Sequence, residues 1–439
     1  MENTDWMIRY AILAFLITLC NGGFLTAQER LSLERAFQVA LQQNYGIEMS
    51  RKSLEISRTE NHPGNAGLLP QVSLISGVNY ASNNSKQTFF DGTDRSADWA
   101  GNFTFNTGVQ ADYRLYDGGA ARNRKQRLEK LEDLTEQQVE VMARELLTRL
   151  SRTYYTILYY DDTRRLIEES IAFFEDLENL ERERLDIGRG TRLSLLQTQS
   201  ELNREKARLE QVKSWRQVAM QDLFRIMNIE PDDELELEEE DYYDQAEVDP
   251  DALLAKVLTN NPELILETMQ QFVLESELDI SRAEQYPTLD MSAGVDYSLT
   301  LSEVGLLESN RNFGPFVGAT LRMNIFDGHR SRKNIEVNQL RLEMGSLQLA
   351  DLRSELETEL QKRYLEFKNS NKMLEIEREN LELVRQNLEL ADEMFQAGRI
   401  DNFELREVQQ QLVRAEEALA AIRRDRAMAY IDLMALTGL

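Results

Sequence analysis

The sequence predicts a mixed architecture: a membrane β-barrel portion of amphipathic strands joined to a long α-helical coiled-coil barrel. It is built as a tandem repeat in which each copy holds two strands, one long helix and two short helices stacked end to end. Three observations predict it. "LYDGGAARNRKQRLEKLE" at 115–132 and "IFDGHRSRKNIEVNQLRLE" at 325–343 each convert a period-two apolar pattern into a helical one through Asp-Gly. The two events stand 210 residues apart, as do Gly188 in "LDIGRG" and Gly398 in "FQAGRI", so no net insertion separates these anchors. Finally, 29% of residues are charged and only 8% are aromatic, a balance that suits long solvated helices.

The chain opens with Arg9, an apolar run from Ala11 to Leu19, and Ala27 at the expected cleavage point, so residues 1–27 are expected to be a secretory signal. Cys20, the only cysteine, admits a second reading as a lipidated first residue. The first repeat is assigned to 28–229 with a strand hairpin at 70–117. The second is assigned to 250–439 with a hairpin at 287–327.

In the first hairpin Phe103, Phe105, Val109, Ala111, Tyr113 and Leu115 fall on one face, and Val72, Leu74, Val78 and Tyr80 repeat the alternation. In the second, Leu289, Met291, Ala293, Val295, Tyr297 and Leu299 do so, followed by Val317, Ala319, Leu321, Met323 and Ile325. The central charges Asp112, Arg114, Asp290, Asp296 and Arg322 all take the other face. A lipid-facing arginine at a bilayer midplane would cost about 2–4 kcal/mol, so lipid exposure demands this segregation. The helices are too polar to cover the hairpins. Residues 81–100 and 302–312, polar and turn-forming, are expected as external loops. Four strands cannot close a barrel, so the chain must assemble; two copies would supply eight strands and three would supply twelve, and periodicity does not choose.

From Gly119 to Asp186 apolar residues recur at three- and four-residue spacing without proline, which predicts a helix roughly 100 Å long. The return helix to about Asn228 and the helix from Ser32 to Leu68 are each about half that length. Leu195, Leu202 and Leu209 match Leu405, Leu412 and Leu419 as packing positions of a coiled-coil seam. Residues 230–249 lack lysine and arginine and read as a solvated acidic linker, the alternative being a short strand formed by "ELELE". Asp117, Gly118, Asp327 and Gly328 mark the barrel-to-helix junctions, where glycine frees the turn and aspartate caps the new helix. Tyr116 and Phe326 are placed for an aromatic girdle. Arg122, Arg124, Lys125, Arg330, Arg332 and Lys333 are placed for the headgroups or are simply solvated first-turn residues.

A net charge of −27 argues against nucleic acid. His62 and His329 have no ligand partner at metal spacing, and no phosphate loop or nucleophile motif appears, so neither enzyme nor cofactor is expected.

In its doubled layout the chain resembles the TolC-like outer-membrane efflux channel family. "LYDGG" and "IFDGH" stand at the barrel exits and "GLLPQVSL" and "QYPTLDM" at the entries. "IGRGTRLSLLQTQSELNREKARLE" and "AGRIDNFELREVQQQLVRAEEALA" form the return helices. The resemblance implies a homotrimer whose twelve strands form one barrel in the lipid of a Gram-negative outer membrane, continued into the periplasm by twelve helices. It also implies a passive exit duct for efflux or type I secretion, with a periplasmic adaptor and an inner-membrane transporter of RND, ABC or MFS type as partners. Docking would fall to the tips Gly188, Arg189, Gly190, Thr191 and Gly398, Arg399, Ile400, Asp401. Glu404 and Glu407 match the family's paired constriction acids, although Asp401 and Glu404 also make a capping-box pattern. The aligned first-copy residues are Ser194 and Gln197, and the tip tyrosine and arginine of some members are here Phe395 and Ile400. Pro63 and Gly64 should kink or unwind the first ascending helix. The main alternative is an exported coiled-coil adhesin or spacer.

Overall fold

A computed structural model describes residues 30–232, 234–238, 249–304 and 307–438. The signal segment with Cys20, and most of the acidic segment, lie outside the described residues. The elements run α1 (Leu33–Gln43), α2 (Tyr45–Glu60), β1 (Gln71–Thr88), β2 (Asp94–Tyr116), α3 (Ala120–Asp186) and α4 (Arg192–Met227). The second copy gives α5 (Pro250–Asn260), α6 (Pro262–Ala283), β3 (Thr288–Ser302), β4 (Ser309–Arg322), α7 (Arg330–Gln396) and α8 (Asn402–Leu436). The chain forms two compact units. One is helical, from the described residues within 1–45, 145–248 and 363–435; the other bears the strands, from those within 46–144, 249–362 and 436–439.

In the strand-bearing unit the four strands form one antiparallel sheet in the order β1-β2-β3-β4. Its register places Leu74 opposite Val109, Val109 opposite Val295, and Ala293 opposite Val317, so the alternating apolar residues of all four strands share one face. That face is exposed: Leu74 is 74% exposed, Val317 73% and Phe313 78%. On the other face Arg114 pairs with its cross-strand neighbour Asp290 at 2.7 Å. The strands are longer than the apolar pattern predicts. Residues 81–88 and 94–100, expected as loop, continue the ladder past a bulge at Asn83/Ser85, leaving a tight turn at 89–93. Likewise β4 begins at Ser309, within the segment expected as loop. The ladder needs only backbone pairing, so it continues where side chains turn polar on both faces.

The helix expected over Ser32–Leu68 is broken twice. It ends at Glu60, and residues 61–70 wind as turns around Pro63 and Gly64 with Ala66 fully buried. A second break falls at Asn44, which has extended backbone. Its side-chain amide donates to Ile226 O at 2.9 Å, and Asn228, left-handed at the end of α4, donates to Gln43 O at 2.9 Å. The second copy repeats the joint within the strand-bearing unit: Asn261 caps α6 by accepting from Leu264 N at 3.0 Å and donates to Leu436 O at 3.0 Å. Gly438 takes the left-handed position there, where a Cβ would lie 2.3 Å from Asn260 O. Asn261 thus starts one helix and ties down a terminal carbonyl of another, and Asn44 likewise ties down a carbonyl near the end of α4.

In the helical unit the core is lined by Leu150, Tyr154, Ile157, Phe174, Leu223 and Leu433, all at most 1% exposed. Part of the acidic run is built into it. Leu31 and Leu237 form a parallel bridge in which Leu31 N donates to Glu236 O and Glu238 N to Leu31 O. The Tyr154 hydroxyl lies 2.8 Å from Leu31 O and 2.7 Å from Glu238 O. The reason is the buried Leu237, whose apolar burial outweighs the solvation of the glutamates beside it.

Asn261 is 3% exposed, and Asn261→Ala removes a helix cap and takes the side-chain donor from Leu436 O. It should cost about 2 kcal/mol and lower the thermal midpoint read by circular dichroism, with Asn261→Asp falling between. An unchanged midpoint would show that the joint is not held this way.

Candidate functional site

The junctions come first in chain order. Asp117, 8% exposed, accepts from Ala121 N at 2.8 Å and from Arg124 at 3.0 Å, so it both starts α3 and anchors a cation. Asp327 accepts from the Ser331 amide at 2.9 Å and also from the Ser331 hydroxyl, and these bonds hold its carboxyl below the usual aspartate range. The turn takes two left-handed residues in each copy: Gly118 and Gly119, then Gly328 and His329. The equivalents differ in crowding. A Cβ on Gly118 would lie 2.7 Å from Ala283 O and from the Tyr286 side chain, whereas one on Gly328 would meet nothing.

Two of the cations expected at headgroups are used internally. Arg124 also donates to Ala66 O at 3.0 Å, and Lys125 donates to Asn61 at 2.6 Å and pairs with Glu129. They secure the unwound 61–70 segment, a contact that cannot be read without knowing where that segment lies. Arg122, Arg330 and Arg332 are exposed and form no ion pair among the described residues.

The tips belong to the helical unit. At the first, Gly188 has φ 75°, Arg189 and Gly190 both donate to Arg184 O at 2.8 Å, and Thr191 caps α4 through Ser194 N. At the second, Gly398 has φ 68° and Arg399 N donates to Met394 O at 2.8 Å. Asp401 and Glu404 form the reciprocal capping box: Glu404 N donates to Asp401 Oδ1 at 3.0 Å, and Asp401 N to Glu404 Oε2 at 3.3 Å. Glu404 and Glu407 are both exposed, and Glu407 bonds to none of the described residues. Behind them Phe174, Leu177, Leu202, Ala391, Phe395 and Leu405 make a buried cluster, with Ile400 packed against it. Arg184 stacks over the Phe395 ring at 4.5 Å. Phe395 and Ile400 therefore contribute apolar packing at this tip.

A polar seam between α4 and α8 escapes sequence reasoning. Asn402 donates to Ser194 at 2.9 Å, Arg406 to Gln197 at 3.2 Å, Gln410 to Glu201 at 3.5 Å, and Arg208 pairs with Glu417 at 2.5 Å. Asn402 and Arg406 are each 7% exposed. Their signal was faint: the partners Ser194 and Gln197 are the polar residues aligned with the second-copy acids. Within the seam, burial pushes the Glu205 carboxyl up, against Arg208 and with Glu417 and Glu201 adding to the rise.

The comparisons with known proteins bear on the whole chain. The family model described as outer membrane efflux protein matches residues 36–228 and 253–439. No curated protein matches the chain in sequence. Among solved structures, it is similar to the Campylobacter jejuni CmeC outer membrane channel at TM-score 0.77 and 13% identity, covering 92% of this chain and 85% of that one. The Vibrio cholerae outer membrane protein VceC gives 0.74 at 16%, covering 92% and 96%. The open-state MtrE outer membrane channel of Neisseria gonorrhoeae gives 0.72 at 16%, covering 92% and 88%.

Gly118→Ala should destabilise the purified protein markedly more than Gly328→Ala, because both lose a left-handed glycine but only the first collides with backbone. Equal losses in thermal unfolding would refute the crowding argument. For Glu205 the folded pKa lies above the unfolded one, so its ionised form opposes folding at neutral pH, and stability is regained as pH falls through the raised value. Glu205→Gln should therefore raise the thermal midpoint at neutral pH and flatten its pH dependence on the acid side; a lower midpoint at neutral pH would contradict this.

Proposed function

Because the chain belongs to the outer membrane efflux protein family, we propose that it is a passive exit channel of the outer membrane, formed by three copies and working with partners that supply energy and selectivity. The observation that carries this reading is the sheet: four strands with one exposed apolar face and two unpaired edges. In hydrocarbon every backbone donor and acceptor needs a partner, so β4 of one copy must pair with β1 of the next until the ring closes. Eight strands enclose a bore that side chains fill. Twelve, from three copies, are the smallest multiple of four beyond that and leave room for a conduit. The helices of each copy continue the conduit on the periplasmic side.

At the tips, Glu404 and Glu407 share a helix face, and three copies would bring them into rings of carboxylates that favour cations at a constriction. The capping box supports Glu404 in position and leaves one of its oxygens and the whole of Glu407 for that ring. The turns Gly188–Thr191 and Gly398–Asp401 are the docking points for a periplasmic adaptor, and through it for an inner-membrane transporter of RND, ABC or MFS type. Efflux and type I secretion both fit a duct of this kind.

Detergent-purified protein should have the mass of a trimer and give stepwise conductance in planar bilayers, where an exported spacer would give none. The Glu404→Gln, Glu407→Gln double variant should shift reversal potentials toward lower cation preference or raise conductance. A variant identical to the parent in both readouts removes the constriction role while leaving the channel intact.

A further inference from the structure

The two junctions share a feature that neither barrel closure nor the tips require. Tyr116 and Phe326 are equivalent positions at the ends of the two hairpins, and both rings are exposed, at 47% and 76%. Six residues on, Arg122 and Arg332 occupy the same third position of α3 and α7. Both arginines are exposed and neither pairs with any described residue. Of the neighbouring cations, three are spoken for: Arg124 by Asp117, Lys125 by Glu129 and Lys333 by Glu336, which also lies near enough to Arg332 to feel its charge, while the exposed Arg330 has only Ala120 at its equivalent position. Two unpaired arginines kept at matched positions stand out in a chain of net charge −27.

The surroundings say what they face. Near this level Leu115, at the end of β2, and Met323 and Ile325, just past the end of β4, are exposed apolar residues, the last at 96%. Tyr286, on the entry to β3, adds a further exposed ring at 56%. Apolar band, then amphipathic ring, then free guanidinium is the order of polarity met on leaving a bilayer through its headgroup layer. A guanidinium offers paired donors that match phosphate oxygens.

We propose that Arg122 and Arg332, each with its aromatic partner Tyr116 or Phe326, form a belt that binds the phosphate of anionic phospholipid headgroups at the periplasmic rim of the barrel. This rests on the membrane-channel reading above and adds the lipid class. The repeat supplies two such pairs per copy, so a closed ring of three copies would carry six.

The test compares the wild-type protein in nanodiscs of phosphatidylglycerol and of phosphatidylcholine. The thermal midpoint should be higher in phosphatidylglycerol by about 2–4 °C or more. The Arg122→Gln, Arg332→Gln double variant should lose that difference while matching the wild type in phosphatidylcholine. Native mass spectrometry should show retained phosphatidylglycerol on the wild type and its depletion on the variant. A difference that persists unchanged in the variant, or is absent from the wild type, overturns the proposal. So does inorganic phosphate reproducing the shift in phosphatidylcholine, since the ligand would then be a free anion. Conductance in planar bilayers keeps the two readings apart: a variant that conducts normally but has lost its lipid preference supports the belt, and a wild type that conducts without any preference refutes the belt alone.

Discussion

A strand edge in hydrocarbon has nowhere to place its unpaired N–H and C=O groups, and each such group costs several kcal/mol. This chain carries two edges, along the 18 residues of β1 and the 14 of β4. It also carries an exposed apolar face. Water penalises the face and lipid penalises the edges, so a single copy is unsatisfied in either solvent. Closure with other copies in a membrane relieves both penalties at once, and the proposed assembly follows from that pair of constraints.

The helical elements meet a different demand. They are long and highly charged, so register comes from discrete contacts as well as from packing. The asparagine joints at Asn44 and Asn261 do this at the helix ends, each satisfying carbonyls that a helix terminus leaves free. The bonds from Asn402 and Arg406 across to α4, and from Arg208 of α4 back to Glu417 of α8, do it along the seam between the two return helices. Such bonds add less energy than buried leucines but tolerate no one-residue slip, because a shifted donor loses its acceptor. The apolar cluster around Phe174 and Phe395 then packs the tip from behind, where each buried side chain contributes about 1.5–3 kcal/mol.

The two copies have diverged where their neighbours differ. Gly118 is pressed against Ala283 and Tyr286 while Gly328 stands clear. Residues 61–70 unwind, and Arg124 and Lys125 are drawn into holding them, whereas the second copy continues α6 to Ala283 and leaves its junction cations outside. At the tips the second copy has the acids and the first has Ser194 and Gln197, which serve as acceptors for Asn402 and Arg406.

Periodicity by itself determined the repeat, the four strands with their apolar face, the 67-residue span of each long helix and the left-handed glycines of the turns. These depend on side-chain spacing and on backbone conformations that few residues adopt, both of which are local. Only the tertiary structure decided the breaks at Asn44 and Asn261, the polar continuation of the strands through residues 81–88 and 94–100, and the Leu31–Leu237 bridge. It likewise decided which junction arginines are free. Each of those turns on a partner distant in sequence or on a choice between two satisfied hydrogen-bonding states, and a one-dimensional pattern carries neither the partner's position nor the difference in energy.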